Sequence, residues 1–206
     1  MRFYGKMQPA IRHSDGWVFP QNDDHAEYVL RQSGDARLFA EYAKGRKCVI
    51  QAGGYCGQFV REFAGIFRDV YTFEPNPLSF YCLTQNVPQT VHKYQAFLGN
   101  ERQMASLGHN EHEEHNFGAW FLSGDGSTPT LRIDDLGAAP DLIQLDMEGR
   151  EVEALKGGLK TIEAHRPVIV VEQKPLPQGS SDAVGFLKGL GYSAEKVTRW
   201  DWVCLP

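Results

Sequence analysis

The strongest constraint on the fold is an alternation of short apolar runs with helix-patterned segments between residues 47 and 94. The runs that resemble buried strands are Lys47–Gln51, Val70–Glu74 and Val91–Tyr94. The segments with apolar side chains at helical spacing are Phe59–Phe67 and Leu78–Asn86, the second of which has Pro77 in its first turn. A β-α-β-α-β order with short connections predicts a parallel sheet joined by right-handed crossovers.

The remaining segments extend the same α/β pattern. Further strands are predicted at Asp141–Asp146, Pro167–Glu172, Tyr192–Val197 and Trp200–Cys204, and the last two form a closing pair. Further helices are predicted at Asn22–Ala43, Glu151–Leu159 and Asp182–Leu190. Asn22 or Asp23 is expected to cap the first helix, Gly34 to split it, and residues 96–130 to hold an irregular strand or hairpin. We expect one domain, 1–206, with an N-terminal lead segment at 1–45 and a sheet core at 46–206.

Charge and composition exclude several classes of protein. The net charge of −5 leaves no basic surface for nucleic acid, so a small-molecule or saccharide partner is expected. No apolar run approaches the length of a membrane span, and the first ten residues lack the apolar core of a secretory signal. The four cysteines show no C-x-x-C spacing, which favours free thiols in a reducing, cytoplasmic compartment. The oligomeric state stays open.

A glycine-rich turn follows the first strand, in the segment Gln51-Ala-Gly53-Gly54-Tyr55-Cys56-Gly57. Parallel α/β sheets bind ligands at the carboxyl ends of their strands, and glycines there let the backbone approach a nucleotide closely. Glu74 ends the second strand, where a carboxylate can accept both hydroxyls of an adenosine ribose. The alternative is a tight βα turn beside a surface glutamate.

The turn itself does not identify the nucleotide. The dinucleotide pattern G-x-G-x-x-G lacks its first glycine here, because Ala52 stands at that position. A methyltransferase turn, which begins with an acidic residue, is matched except that Gln51 replaces the acid.

Four separated blocks together resemble the FkbM family of S-adenosylmethionine-dependent methyltransferases, over residues 48 to 173. The blocks are Val49–Gly57, Thr72–Pro77 with its F-E-P-N-P sequence, Leu131–Leu136, and Asp141–Gly157 with its D-x-E-G-x-E core. Arg166–Glu172 continues the last block.

The resemblance implies a Rossmann-like class I methyltransferase fold, with a mostly parallel seven-stranded sheet and helices on both faces. It further implies that the cofactor is S-adenosylmethionine and the reaction O-methylation of a hydroxyl on a sugar or small molecule. The residues expected to bind the cofactor are Gln51, Gly53, Gly54, Tyr55, Gly57, Glu74, Pro75 and Asn76. Two departures stand out: Gln51 lacks the charge that attracts the methionine ammonium, which predicts weaker affinity, and Gln144 replaces the family's lysine.

Asp146 and Glu148 are the candidate catalytic residues, because they follow the fourth core strand beside the expected position of the transferable methyl group. An alcohol must lose its proton as it attacks, so a nearby carboxylate can act as base. We expect Asp146 to be the base or to orient the acceptor, with Glu148 assisting. Asp146 could instead accept from the Gly149 amide and shape the turn.

Other polar segments carry weaker hypotheses. The segment His109–His115 has ligand types that bind zinc or manganese, but it equally suits a solvated loop or the border of the acceptor pocket, and we predict no metal. Asp134 and Asp135 could approach the substrate or form an exposed pair. No tryptophan is assigned to the site, since tryptophan packs into cores more often than it stacks on ligands.

Two other functions remain open from the sequence. One is an NAD-dependent oxidoreductase, in which the block from Asp146 to Gly149 would have no role. The other is a degenerate cofactor-binding module, in which Gln51 would mark a lost site, although the retained Glu74, Asp146 and Glu148 argue against this.

Overall fold

The computed structural model describes residues 9–109, 120–174 and 182–206. The strands are β1 Ala10–Arg12, β2 Val18–Pro20, β3 Cys48–Ala52, β4 Asp69–Phe73, β5 His92–Tyr94, β6 Phe97–Leu98, β7 Gln103–His109, β8 Trp120–Leu131, β9 Leu142–Leu145, β10 Val168–Glu172, β11 Ser193–Lys196 and β12 Asp201–Leu205. The α-helices are α1 Ala26–Gln32, α2 Asp35–Tyr42, α3 Gln58–Ala64, α4 Pro77–Asn86, α5 Glu151–Lys156, α6 Leu159–His165 and α7 Ala183–Gly189.

A seven-stranded sheet in the order β11-β12-β10-β9-β3-β4-β5 forms the centre of the molecule. Strands β10, β9, β3, β4 and β5 pair in parallel, and β12 is antiparallel to both of its neighbours. The predicted mostly parallel seven-stranded sheet is therefore confirmed. From β3 the chain runs outward to β5, then returns to place β9 on the other side of β3. The strand order thus reverses between β3 and β9, where sheets of this kind open a ligand crevice.

Each face of the sheet is covered by helices, because neighbouring side chains of every central strand point to opposite faces. On one face Val49 and Val70 pack with Phe39 of α2 and Phe63 of α3. The other face buries the strand residues Ile50, Ile143 and Ile169 with helix residues Leu155, Ile162 and Leu187. These strands carry apolar residues on both faces, as a sheet covered on both sides requires.

Two predicted helices differ from the observed ones. The helix predicted from Asn22 begins at Ala26, because the Asp23 carboxylate accepts from the His25 N–H instead of capping a helix that starts there. The expected split at Gly34 is confirmed, since α1 ends at Gln32 and α2 begins at Asp35. The helix predicted at Glu151–Leu159 ends at Lys156, and α6 begins after two glycines. A β-carbon on Gly157 would lie 1.9 Å from the Gly99 carbonyl oxygen, so this break permits close backbone contact.

The segment 96–130 contains the predicted hairpin. β7 pairs antiparallel with β8, and the short β6 lies parallel to β8 on its other side. Residues 110–119, which include most of the histidine-rich segment, lie outside the described part of the chain. None of the helices in the described ranges is both long and apolar enough to span a bilayer.

The described part of the lead segment packs behind the glycine-rich turn. The Asn86 side chain accepts from the Val18 N–H and donates to the Val18 and Cys56 carbonyl oxygens, each over 2.8 Å. All three contacts are buried, so one amide joins β2 to α4 and to the turn after β3. All four cysteines are buried and free of disulfides.

Candidate active site

Where the turn after β3 comes closest to the end of β9, only glycine fits. Gly53 has a φ of +84°, and a β-carbon there would lie 1.9 Å from the carbonyl oxygen of Asp146. The Asp146 N–H donates to the Ala52 carbonyl oxygen over 3.1 Å, so the ends of β3 and β9 are held together. Gly57, with a φ of +95°, starts α3 where a β-carbon would meet Val87 at 2.6 Å. The turn therefore exposes backbone at the point where the strand order reverses.

Glu74 stands at the end of β4, facing this turn, and only 5% of its surface is exposed. One carboxylate oxygen accepts from the Tyr55 N–H and the other from the Asn76 N–H, both over 2.7 Å. Burial raises the pKa of Glu74 to about 8, against the two hydrogen bonds that lower it, and the charge of Asp146 raises it further. Each oxygen keeps a second lone pair for a donor from a ligand.

A cleft opens between the turn and the ends of β4, β5 and β9. It is lined by Ala52, Gly53, Phe73, Glu74, Pro75, Ala96, Phe97, Leu98, Asp146, Met147 and Glu148. Five of the predicted site residues are in this set: Gly53, Glu74, Pro75, Asp146 and Glu148. The apolar wall at 96–98 was not predicted, although its position directly after β5 places it at the same edge of the sheet.

The other predicted cofactor residues, Gln51, Gly54, Tyr55, Gly57 and Asn76, lie behind the cleft surface. Gln51 donates to the Gly53 carbonyl oxygen over 2.9 Å and accepts from the Thr72 hydroxyl over 2.6 Å. Only 1% of Gln51 is exposed, so its side chain supports the turn from inside the sheet. Asn76 caps α4 through the N–H groups of Leu78 and Ser79.

Tyr55 connects the turn to the lead segment. Its backbone has a positive φ of 44°, an uncommon conformation for a residue with a side chain. Its hydroxyl donates to the Asp23 carboxylate, and burial raises the pKa values of both groups. Tyr55 is therefore fixed at two points, by its backbone N–H on Glu74 and by its hydroxyl on Asp23.

A group of three carboxylates lies beyond the ends of β9 and β10, with Asp146 and Glu148 in the wall of the cleft. Oxygens of Asp146, Glu148 and Glu172 fall within 4.8 Å of one another, a spacing that a metal ion could bridge. However, the Lys174 ammonium is 3.1 Å from Glu148 and 2.8 Å from Glu172, so the group already has a cation within the protein. We refer to these four residues as the acidic cluster. Sequence analysis missed Glu172 and Lys174, although Glu172 ends a predicted strand.

Burial and crowding change the protonation of the acidic cluster. Burial raises the pKa of Glu148 to about 7, the charge of Asp146 adds to the rise, and Lys174 opposes it. The pKa of Glu172 is raised much further by the same two effects. For Lys174, burial lowers the pKa, but the three carboxylates outweigh it and raise the value overall. Glu148 also has a positive φ of 53°, a strained conformation of the kind found at functional sites.

Glu151 shapes the turn that follows β9. It is 2% exposed, and one of its oxygens accepts from the Met147 N–H over 2.9 Å and from the Gly149 N–H over 3.2 Å. The sequence had left this role open for Asp146. Since Glu151 takes the Gly149 amide, Asp146 is available to the cleft that it lines.

The remaining sequence candidates lie elsewhere. Asp134 caps α6 by accepting from the Thr161 N–H and hydroxyl, each over 2.9 Å. Asp135 pairs with Arg102 at 2.7 Å and with Arg132 at 2.6 Å. Both carboxylates are engaged away from the cleft, so the structure does not bring either aspartate to it. Gln144 is buried on β9, directly beside Gln51.

Comparison with known proteins agrees with this geometry. The family model described as the methyltransferase FkbM domain matches residues 52–194. The fold resembles the crystal structure of methyltransferase FkbM from Methylobacillus flagellatus KT, with a TM-score of 0.54 and 16% identity over 90% of this chain. The match covers 55% of that protein, so the present chain spans about half of its length.

Two other solved structures share the fold at lower identity. Streptomyces venezuelae DesVI has a TM-score of 0.53 and 12% identity, covering 89% of this chain and 98% of that one. The N-methyltransferase NodS from Bradyrhizobium japonicum WM9 has a TM-score of 0.50 and 9% identity, covering 88% and 96% respectively. A comparison with curated proteins found no match.

Proposed function

Because the chain belongs to the FkbM family of methyltransferases, we propose that it transfers a methyl group from S-adenosylmethionine to a hydroxyl oxygen of a sugar or another small molecule. The observation that carries this proposal is the pairing of Glu74 on one side of the cleft with Asp146 and Glu148 on the other. A carboxylate suited to a ribose thus faces carboxylates suited to removing a proton.

The residues of the cleft fit the cofactor. Glu74 offers one open acceptor position on each oxygen, which matches the two hydroxyl donors of a ribose. Gly53 brings backbone, without a side chain, to the cleft surface. Pro75, Phe97 and Leu98 provide apolar walls for the adenine base of the cofactor. When bound, the cofactor supplies an electrophilic methyl group on a sulfonium ion.

On the acceptor side, the chain's part in the reaction is to orient a hydroxyl and take its proton. A general base works best with a pKa near the working pH, and that of Glu148 is raised to about 7. Asp146 lines the same cleft and can orient the acceptor hydroxyl. We therefore propose that Glu148 removes the proton and that Asp146 orients the acceptor. The sequence had suggested Asp146 as the base, with Glu148 assisting. An amine acceptor has less need of such a base, since a neutral amine can attack before it loses a proton.

Cofactor choice is tested by calorimetric titration with S-adenosylmethionine, S-adenosylhomocysteine and NAD. We expect binding of the first two, loss of binding in Glu74→Ala, and no effect of Glu163→Ala, which removes an exposed glutamate on α6. Binding of NAD alone would favour the oxidoreductase hypothesis. Binding of none of the three would favour a degenerate module.

The reaction is tested with S-adenosylmethionine that carries an isotopically labelled methyl group. The protein is incubated with a panel of monosaccharides, glycosides and small alcohols, alongside matched amino sugars. Label in an O-methyl product, with turnover strongly reduced in Glu148→Gln and Asp146→Asn, is the expected result. Label in N-methyl products alone would overturn the assignment of a hydroxyl acceptor.

A further inference from the structure

The β11–β12 hairpin carries two cations and two indole rings at the end where its strands are joined. The Lys196 ammonium lies 5.9 Å from the ring centre of Trp200 and 5.7 Å from that of Trp202. The Arg199 guanidinium carbon lies 4.8 Å from the ring centre of Trp200. These distances are in the range of cation–π interactions, so the rings help to hold both cations in place. We refer to these four residues as the basic aromatic patch.

The backbone of the connecting turn is fixed by Thr198. Its hydroxyl accepts from the Trp200 N–H over 3.2 Å and from the Asp201 N–H over 2.9 Å, and it donates to the Asp201 carboxylate. The Val197 N–H donates to the Asp201 carbonyl oxygen over 3.0 Å, which closes the turn. The patch is therefore ordered before a ligand binds, and such preorganisation lowers the entropic cost of binding.

The two cations keep their hydrogen-bond donors available. Both are exposed, and in the described ranges neither Lys196 nor Arg199 forms an ion pair with a carboxylate or donates a hydrogen bond to another residue. Glu195 is the neighbour of Lys196 on β11, and alternation along a strand directs its side chain to the opposite face. An ammonium and a guanidinium placed in this way can make charge-assisted hydrogen bonds to an oxyanion.

The patch lies at the same edge of the sheet as the cleft. The Trp200 carbonyl oxygen accepts from the Gln173 N–H over 2.9 Å, directly after the end of β10. Trp202 packs against the core cluster that contains Ala52, which lines the cleft, so the two features also share a face of the sheet. β12 is two strands away from β9. At about 4.8 Å for each strand spacing, the patch lies roughly 10 Å from Asp146 at the end of β9.

This separation sets the size of an acceptor that could reach both places. A hydroxyl at Asp146 and Glu148 and a group at the patch can belong to one molecule only if it is longer than a single pyranose ring. We propose that the basic aromatic patch is a subsite for an anionic group, a carboxylate or a phosphate, on an acceptor saccharide the size of a disaccharide. The assignment of this ligand as the acceptor rests on the proposed function. Lys196 and Arg199 bind the oxyanion, and the partly exposed indole rings contact the C–H groups of the sugar.

The first test locates the ligand by NMR of protein labelled at the tryptophan indole nitrogens. The chain has four tryptophans, and the signal that is missing in Trp200→Phe identifies Trp200. The probes are cellobiouronic acid, cellobiose phosphate and neutral cellobiose, each added at millimolar concentration with S-adenosylhomocysteine present. We expect the acids to move the Trp200 signal and cellobiose to move it much less. Movement with one acid alone would support the proposal and identify the anion. Equal movement with cellobiose, or no movement with either acid, would overturn it.

The second test removes both charges of the patch in the double variant Lys196→Gln with Arg199→Gln. Both side chains are exposed, so this variant is expected to fold. Loss of the charge-assisted hydrogen bonds should weaken binding of the acids by about tenfold and leave cellobiose unaffected. The matched control is Lys44→Gln with Lys47→Gln, which removes two exposed charges near the amino end of β3, at the opposite edge of the sheet. Equal effects of the two double variants would overturn the proposal, because only the total charge would then matter.

These measurements need no methyl transfer, so the two proposals can fail separately. If the acids bind at the patch but no acceptor is methylated, the proposed function fails and the subsite remains a binding site for acidic saccharides. If cellobiose and its acidic derivatives are methylated with equal kcat/KM, and the double variant of the patch changes neither value, the subsite fails and the proposed function stands.

Discussion

The backbone N–H of Tyr55 donates to the Glu74 carboxylate over 2.7 Å, which fixes the glycine-rich turn against the end of β4. This bond is buried and joins the two elements that the nucleotide part of the cofactor would contact. Since the pKa of Glu74 is raised to about 8, the proposed ribose acceptor carries a proton in much of the unbound protein at neutral pH.

Cofactor binding should therefore release protons. Ribose hydroxyls donate hydrogen bonds, so they favour the ionised form of Glu74, and binding at neutral pH must remove its proton. We expect affinity for S-adenosylhomocysteine to rise with pH up to about 8 and then level off. Calorimetry in buffers of different ionisation heat measures the released protons directly. In Glu74→Gln the pH dependence should disappear, and a flat profile in the wild type would contradict the prediction.

Gly53→Ala should be far more harmful than Gly16→Ala. Both glycines have a positive φ, +84° and +90°, but a β-carbon at Gly16 meets nothing within 4 Å. Gly16→Ala should cost only the left-handed strain, about 1–2 kcal/mol. Gly53→Ala adds a clash with the Asp146 carbonyl, for a total of roughly 3 kcal/mol or more and loss of cofactor binding. Urea unfolding measures the loss of stability, and calorimetry measures the loss of cofactor binding. Equal losses of stability in the two variants would show that the turn rearranges to relieve the clash.

Restoring a negative charge at position 51 should not improve cofactor affinity. In Gln51→Glu, a carboxylate would replace the amide that donates to the Gly53 carbonyl, deep in the sheet. We expect a loss of about 2 kcal/mol in the free energy of unfolding and no tighter binding of S-adenosylhomocysteine. Tighter binding would instead mean that this side chain reaches the methionine part of the cofactor.

Glu151→Ala should destabilise the turn beside the acidic cluster. The change leaves the N–H groups of Met147 and Gly149 without their common acceptor. We expect a loss of about 2 kcal/mol or more in urea unfolding, together with reduced methyl transfer. Glu153→Ala on the same helix is the matched control, since its pair with Lys156 is partly exposed to solvent and should contribute less than about 1 kcal/mol. Similar losses for the two variants would argue against a special role for Glu151.

The alternation of strands and helices was predictable because β3, β9 and β10 are buried on both faces and appear as mostly apolar runs. Helix boundaries were less predictable. Asp23 has the chemistry of a helix cap, but its carboxylate accepts from the hydroxyl of Tyr55, which lies 32 positions further along the chain. The helix predicted at Glu151–Leu159 ran through the two glycines at 157 and 158, and nothing local showed that one helix ends before them and a second begins after them.

Within the candidate site, the residues found from the sequence are those whose role depends on local position, such as Gly53 and Glu74. Glu172 and Lys174 were missed because they lie at the end of β10, whereas their partner Glu148 follows β9. The pair between Lys174 and Glu148 spans 26 positions of the sequence. The roles of Asp146 and Glu151 could not be separated by spacing alone. Both carboxylates flank the same turn, and only three-dimensional packing shows which of them accepts from its amides.

The central position of β3 also determines how this protein can be cut for expression. The family match begins at residue 52, which is the last residue of β3. A fragment started there would remove the strand between β4 and β9 and expose two facing rows of unpaired backbone groups in the middle of the sheet. Such edges pair readily with other chains. A fragment designed from the family boundary should therefore aggregate, and a usable one must begin well upstream of residue 48.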